Sequence, residues 1–131
     1  MKTGILVLGH GSRLPYNKEV VESVCSMLRE MNEDMTVAPA FMEMCEPTIE
    51  DGLKGLADGG VQKVVVVPMF LANGVHTLKD IPAILGLEDG KRRCTYERGD
   101  VHLELYYADP LGASEHIANL IYKRALQALE K

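Results

Sequence analysis

Residues 64–82, VVVVPMFLANGVHTLKDIP, decide how this sequence is read. A β-branched run without alternation predicts a strand covered on both faces, here over residues 61–70. The change to small and polar residues predicts a loop that carries His76 to the edge of a sheet. Pro68 conflicts with a central strand because it cannot donate a ladder hydrogen bond, so it is expected at the strand's end or at a bulge.

Working towards the N-terminus, EPTIEDGL at 46–53 predicts a helix with Pro47 in its first position and Ile49, Leu53, Leu56 and Ala57 as its apolar stripe. Gly59 and Gly60 stop it. Residues 35–42 predict a second strand, made irregular by Pro39, with Glu43 to Glu46 turning the chain. Before it, GILVL at 4–8 is a first buried strand. GHGSRLPYN at 9–17 is a loop, and Val20, Val21, Val24, Leu28 and Met31 recur at helical spacing.

Towards the C-terminus, residues 80–87 give at most a short helix. EDGKRRCTYERGD at 88–100 is charge-dense and aperiodic, which predicts an exposed, mobile loop. VHLELYY at 101–107 alternates as a fourth strand. Pro110 to Gly112 turn the chain, and Ser114 caps a last helix carrying Ile117, Leu120, Ile121 and Leu129.

Strands alternating with helices predict one α/β domain over residues 1–131. The expected architecture is a three-layer sandwich around a four-stranded parallel sheet in the flavodoxin-like order 2-1-3-4. In that order strands 1 and 3 flank the topological switch point, where ligands bind beyond the carboxyl ends of the strands. His10 follows strand 1 and His76 follows strand 3, while Glu43 and Glu46 follow the neighbouring strand 2. Two imidazoles and one or two carboxylates thus converge on one edge.

The composition narrows the chemistry. A net charge of −5 argues against nucleic-acid binding, which needs a basic surface. The longest apolar runs are far too short to span a membrane, and Ile5 to Leu8 is too short for a signal peptide, so a cytoplasmic protein is expected. The cysteines, Cys25, Cys45 and Cys94, are odd in number and lack CxxC spacing. Neither a disulfide framework nor a thiolate zinc site is signalled.

Two neutral imidazoles with an open coordination position suit a borderline divalent ion such as cobalt, nickel, iron or zinc. The same rings titrate near neutrality and can accept protons. Gly9 and Gly11 permit a tight turn around His10, and Gly74 could serve His76 in the same way. Glu43 and Glu46 can both be read as charge complementing a helix N-terminus, which by itself explains Glu46 comfortably. His102 and His116 have no partner in the pattern and are read as structural. Arg13 and Lys79 lie in the two loops flanking the convergence and are read either as solvated charge, like Arg92 and Arg93, or as partners for substrate carboxylates.

GHGSR at 9–13, EPTIEDGL at 46–53, VVVPMFLANGVHTLKDIP at 65–82 and YADPLG at 107–112 together resemble the short CbiX-type sirohydrochlorin cobalt and nickel chelatases. These are relatives of the class II chelatases that include ferrochelatase, and the match runs through nearly the whole chain in order. The resemblance implies ATP-independent insertion of Co(II) or Ni(II) into sirohydrochlorin, towards cobalamin or the nickel tetrapyrrole of methanogenesis. The metal would be a substrate, with no tightly bound cofactor, and the active form would be a homodimer.

By the same resemblance His10 and His76 would be metal ligands, with His10 also the proton acceptor. Glu46 and the segment Leu71, Ala72, Asn73, Gly74, Val75 and His76 would contact the macrocycle. Some archaeal relatives carry a histidine-rich insertion near the 88–100 loop. That loop has no histidine here, so metal storage is not implied.

Two other readings compete. His-Gly-x-Arg after a first strand suggests histidine phosphatases, but there an arginine precedes the histidine, where this chain has Gly9. A non-enzymatic carrier of metal or tetrapyrrole would use the same cleft for binding alone.

Overall fold

The valine run forms the middle of a sheet. In the computed structural model, which describes residues 1–131, the chain order is β1 (Thr3–Gly9), α1 (Tyr16–Met31), β2 (Met35–Phe41), α2 (Ile49–Asp58) and β3 (Lys63–Pro68). A π-helical turn (His76–Asp80) then runs into α3 (Ile81–Leu85), followed by β4 (Arg93–Arg98), β5 (Val101–Tyr107) and α4 (Glu115–Glu130).

The sheet has five strands in the order β2-β1-β3-β5-β4, not four. The expected 2-1-3-4 order is present as β2-β1-β3-β5, all parallel. The extra strand, β4, lies in the stretch read as a mobile loop and pairs antiparallel with β5 at the edge. Its alternation is real but masked. Tyr96 is buried and Cys94 half-buried, while Arg93, Thr95 and Glu97 point outward, the charged composition that protects an exposed edge. Gly99, at φ +57°, and Asp100 close the hairpin.

The prolines sit where a missing donor does least harm. Pro68 is the last residue of β3, and Pro39 lies in β2, which pairs only with β1. Helix α2 begins later than expected. Thr48, not Pro47, precedes its first residue, and Thr48 Oγ1 accepts the Asp51 N–H at 3.1 Å. Ser114 caps α4 as predicted, accepting from the His116 N–H at 3.2 Å.

Alternation along the strands divides the sheet into two unequal faces. Leu6, Leu8, Val64, Val66, Leu103 and Leu105 pack with α2 and α3 in a core of 17 buried residues. On the opposite face Val7, Val37 and Phe41 meet Val21 and Cys25 of α1 in a cluster of only five. Helix α4 has no buried residue, so this second layer is half-filled.

Candidate active site at the β1 and β3 ends

The end of β1 is built to hold an imidazole against its neighbours. A Cβ on Gly9 would come within 2.8 Å of the Val21 side chain and 3.1 Å of Phe41. Gly11 is at φ +88°, where a Cβ would lie 1.8 Å from the Glu43 carbonyl oxygen. Gly9 is therefore required by its packing against α1 and the end of β2, and Gly11 by the close approach of its loop to the one after β2. Backbone bonds from Met42 to the Gly9 carbonyl (3.1 Å) and from Glu43 to that of His10 (3.3 Å) hold the two loops together. The Asn17 side chain accepts the Gly11 N–H at 3.0 Å.

Gly74 differs. Its φ is not positive and nothing lies within 4 Å of the position a Cβ would take, so the fold itself does not need glycine there. His76 is also not a loop residue, because it opens the π-helical turn. In a turn with i→i+5 bonding, the residue four further on comes almost full circle. Asp80 is thereby set beside His76.

The two rings meet at the predicted edge. His10 Nε2 lies 3.3 Å from His76 Nε2, with ring centroids 4.9 Å apart and the planes near perpendicular. His10 Nδ1 donates to the Gly11 carbonyl at 3.0 Å, and His76 Nδ1 donates to the Asp80 carboxylate at 2.7 Å. A carbonyl or carboxylate only accepts, so each Nδ1 carries the hydrogen and each neutral ring is left with its lone pair on Nε2. Two lone pairs face each other. Such a contact is favourable only with a cation between them, either a proton or a metal ion.

The distance suits a metal. With metal–imidazole bonds of about 2.1 Å, nitrogens 3.3 Å apart subtend roughly 105° at one ion, close to tetrahedral. The Glu43 carboxylate lies 3.4 Å from His10 Nε2. No group of three or more His, Cys, Asp or Glu side chains converges closely enough to form a complete cage. The protein thus presents an incomplete ligand set with positions left over for a second binder.

The supports of this pair continue inward. The buried Thr77 accepts the Gly74 N–H at 2.9 Å through Oγ1 and donates to Asn73 Oδ1 at 3.0 Å. The Tyr107 hydroxyl, at the end of β5, donates to the Thr77 carbonyl at 2.8 Å. Burial pushes the Tyr107 phenol up to about 12, against a smaller opposing effect of Arg92. Asp80, Thr77 and Tyr107 were not among the sequence candidates, although an acid four residues after a histidine is a recognisable helical pair.

The other candidates are placed as follows. Leu71, Ala72, Asn73, Gly74 and Val75 form an exposed run leading to His76. Glu46 is exposed and makes no ion pair, so of the two glutamates it is Glu43 that stands beside the rings. Arg13 and Lys79 are exposed in the flanking segments. His102 does have a partner, Glu97 at 3.2 Å across the β4–β5 hairpin, and stays away from the site. Burial raises the Cys25 and Cys94 thiols, which keeps both protonated and poor metal ligands.

The expected cleft is instead an open shelf. The side chains of His10 and His76 are 44% and 45% exposed, and neither lines an enclosed hollow. A flat ligand can lie across both rings without entering a cavity.

Comparison with known proteins agrees with this geometry. The CbiX family model matches residues 4–128. A sirohydrochlorin cobaltochelatase of Methanosarcina acetivorans is 49% identical, with 98% of each chain covered. One from Methanopyrus kandleri is 44% identical over 95% of this chain and 96% of that one. Among solved structures, a cobalamin-biosynthesis CbiX protein from Marinobacter aquaeolei superposes with a TM-score of 0.68 at 26% identity, covering 98% of both chains. The sirohydrochlorin chelatase SirB of Bacillus subtilis, in complex with cobalt, gives a TM-score of 0.77 at 25% identity over 97% of this chain and 51% of SirB. The motifs around the paired imidazoles, the fold that brings them together and the family match over residues 4–128 agree, and the chain belongs to the CbiX family.

Proposed function

We propose that this protein is a chelatase that inserts Co(II) into sirohydrochlorin without ATP, with Ni(II) as the second candidate ion, in the cytoplasm. The observation that carries the reading is the facing pair of Nε2 lone pairs, each fixed by a hydrogen bond on the far side of its ring. The full-length relatives named for the same activity support the substrate.

Metallation must remove water from the ion, bring the ion to the macrocycle face and take away two pyrrole protons. His10 and His76 replace part of the hydration shell, and the open positions let the ring nitrogens complete the transfer. Asp80 holds the His76 tautomer and ring orientation, which suits His76 to retain the ion. Glu43 stands where it can pair with an imidazolium, which suits His10, open to solvent, to accept the two pyrrole protons in turn and release each to water as the metal leaves. The exposed segment from Leu71 to Val75, together with Glu46, lies against the macrocycle. Arg13 and Lys79 meet its carboxylates.

The active form is a homodimer, since one chain spans about half of SirB. Nickel in place of cobalt would put the protein on the route to the nickel tetrapyrrole of methanogenesis. Following sirohydrochlorin absorbance with substoichiometric protein and each ion tests the reading. Many turnovers with Co(II) or Ni(II) are expected, whereas conversion that stops at one equivalent would indicate a carrier.

A further inference from the structure

One carbonyl in the turn behind His76 is left without its usual backbone donor, and a side chain from β5 supplies one. In the π-helical turn the Ile81 N–H reaches back five residues to the His76 carbonyl. In an α-helix that N–H would serve the Thr77 carbonyl instead. The five-residue pattern hands Thr77 to residue 82, which is a proline and has no N–H to give. Thr77 is only 2% exposed, so an unpaired carbonyl there would be costly. The Tyr107 hydroxyl takes the donor's place, at 2.8 Å from the Thr77 oxygen.

These bonds set the rotation of His76 about the helical axis. Five residues make little more than one turn in the π pattern, whereas in an α-helix they make roughly 1.4. Relaxation to the α pattern, with the Ile81 N–H returned to Thr77, would therefore swing His76 by roughly a quarter turn relative to Ile81. Ile81 cannot follow, because it is fully buried in the larger core. A ring carried that far leaves the 3.3 Å contact between the Nε2 atoms of His76 and His10.

Tyr107 is itself held on several sides. Its N–H donates to the Arg92 carbonyl at 2.8 Å, the Arg92 guanidinium lies 5.3 Å from the centre of its ring, and Arg92 pairs with Asp109. The tyrosine is buried, so its hydroxyl stays where the Thr77 carbonyl needs it.

We propose that Tyr107 is a positioning residue for the metal: its hydroxyl, acting where Pro82 withholds a donor, keeps the turn in its π register and His76 Nε2 in front of His10. Asp80 fixes which nitrogen of His76 is free, and Tyr107 fixes where that nitrogen points. The inference rests on the metal site proposed above and adds a buried residue that acts on it only through the turn.

The test titrates the full-length protein with Co(II) alone and follows the visible ligand-field absorption of the bound ion. Tyr107→Phe is expected to weaken Co(II) binding on the order of 10-fold, the size of effect seen when a ligating imidazole loses its support. Pro82→Ala gives residue 82 an N–H that meets the Thr77 carbonyl in the π pattern. Adding it to Tyr107→Phe should therefore recover most of the affinity. Val101, buried at the opposite end of β5, is replaced by alanine as a control for lost stability alone, and that variant should bind Co(II) as the unaltered protein does. Unchanged affinity in Tyr107→Phe would overturn the proposal. So would a loss that Pro82→Ala fails to recover, or one that Val101→Ala reproduces, since either makes the hydroxyl a general structural bond. An unaltered protein that binds no Co(II) would overturn the metal site and this inference together. Co(II) bound as expected but never passed to sirohydrochlorin would remove the chelatase reading and leave the role of Tyr107 standing.

Discussion

His76 Nδ1 donates to the Asp80 carboxylate at 2.7 Å across one π-helical turn, and this bond decides which nitrogen of His76 is free for a metal. A carboxylate behind a ligating imidazole fixes its tautomer and orientation, and losing one typically costs 10- to 100-fold in metal affinity or activity. Asp80→Ala is expected to lower kcat/KM for Co(II) insertion by about that factor. The urea midpoint should hardly move, since both side chains are half exposed. Unchanged kinetics across a Co(II) titration would show that Asp80 does not position the ring.

Gly11 and Gly74 make a contrasting pair. Gly11→Ala forces a left-handed backbone and a 1.8 Å approach to the Glu43 carbonyl, so a loss of roughly 2 kcal/mol or more is expected in urea unfolding. Gly74→Ala should leave stability within about 0.5 kcal/mol, because its Cβ meets nothing within 4 Å. A raised KM for sirohydrochlorin in Gly74→Ala would then report the macrocycle's approach. A large stability loss in that variant would contradict the open surface seen there.

Tyr107 links stability to alkaline pH. Its folded pKa is raised to about 12 by burial, above an unfolded value near 10. The stability held by the neutral phenol is therefore fully present below pH 10 and is lost as pH rises through 12. Tyr107→Phe removes the bond donated to the Thr77 carbonyl, at a cost of about 1 kcal/mol at neutral pH. It should also flatten the decline between pH 10 and 12. Identical alkaline denaturation curves for the two proteins would exclude this role.

Chelation should fall in acid, because a protonated imidazole has no lone pair for a metal and cannot accept a pyrrole proton. The initial rate of sirohydrochlorin metallation between pH 5 and 8 measures it. A rate unchanged by acid throughout that range would remove the histidines from the chemistry.

The parallel strands were legible because Val64 to Val67 and Ile5 to Leu8 are continuous apolar runs, although only one face is fully covered: Leu6, Leu8, Val64 and Val66 are buried, while Ile5, Val65 and Val67 on the other face are partly exposed. β4 was not, because an edge strand carries its charges outward. Only Cys94 and Tyr96 mark its inner side. The meeting of His10 and His76 followed from strand order alone. Asp80 was hidden by reading residues 71–76 as a loop that ended in the histidine. Once His76 opens a helical turn, the acid four residues later becomes its neighbour. Helix α4 was recognised from its stripe, and none of its residues is buried.

X-ray absorption at the cobalt edge of the Co(II)-loaded protein tests the central claim most directly. Two imidazole nitrogens at about 2.1 Å are expected, with one lost in His10→Ala and one in His76→Ala while circular dichroism and chelation report an intact fold and most of the activity gone. An oxygen-only shell, or a spectrum and turnover unchanged by either substitution, would contradict a cation held between these two rings.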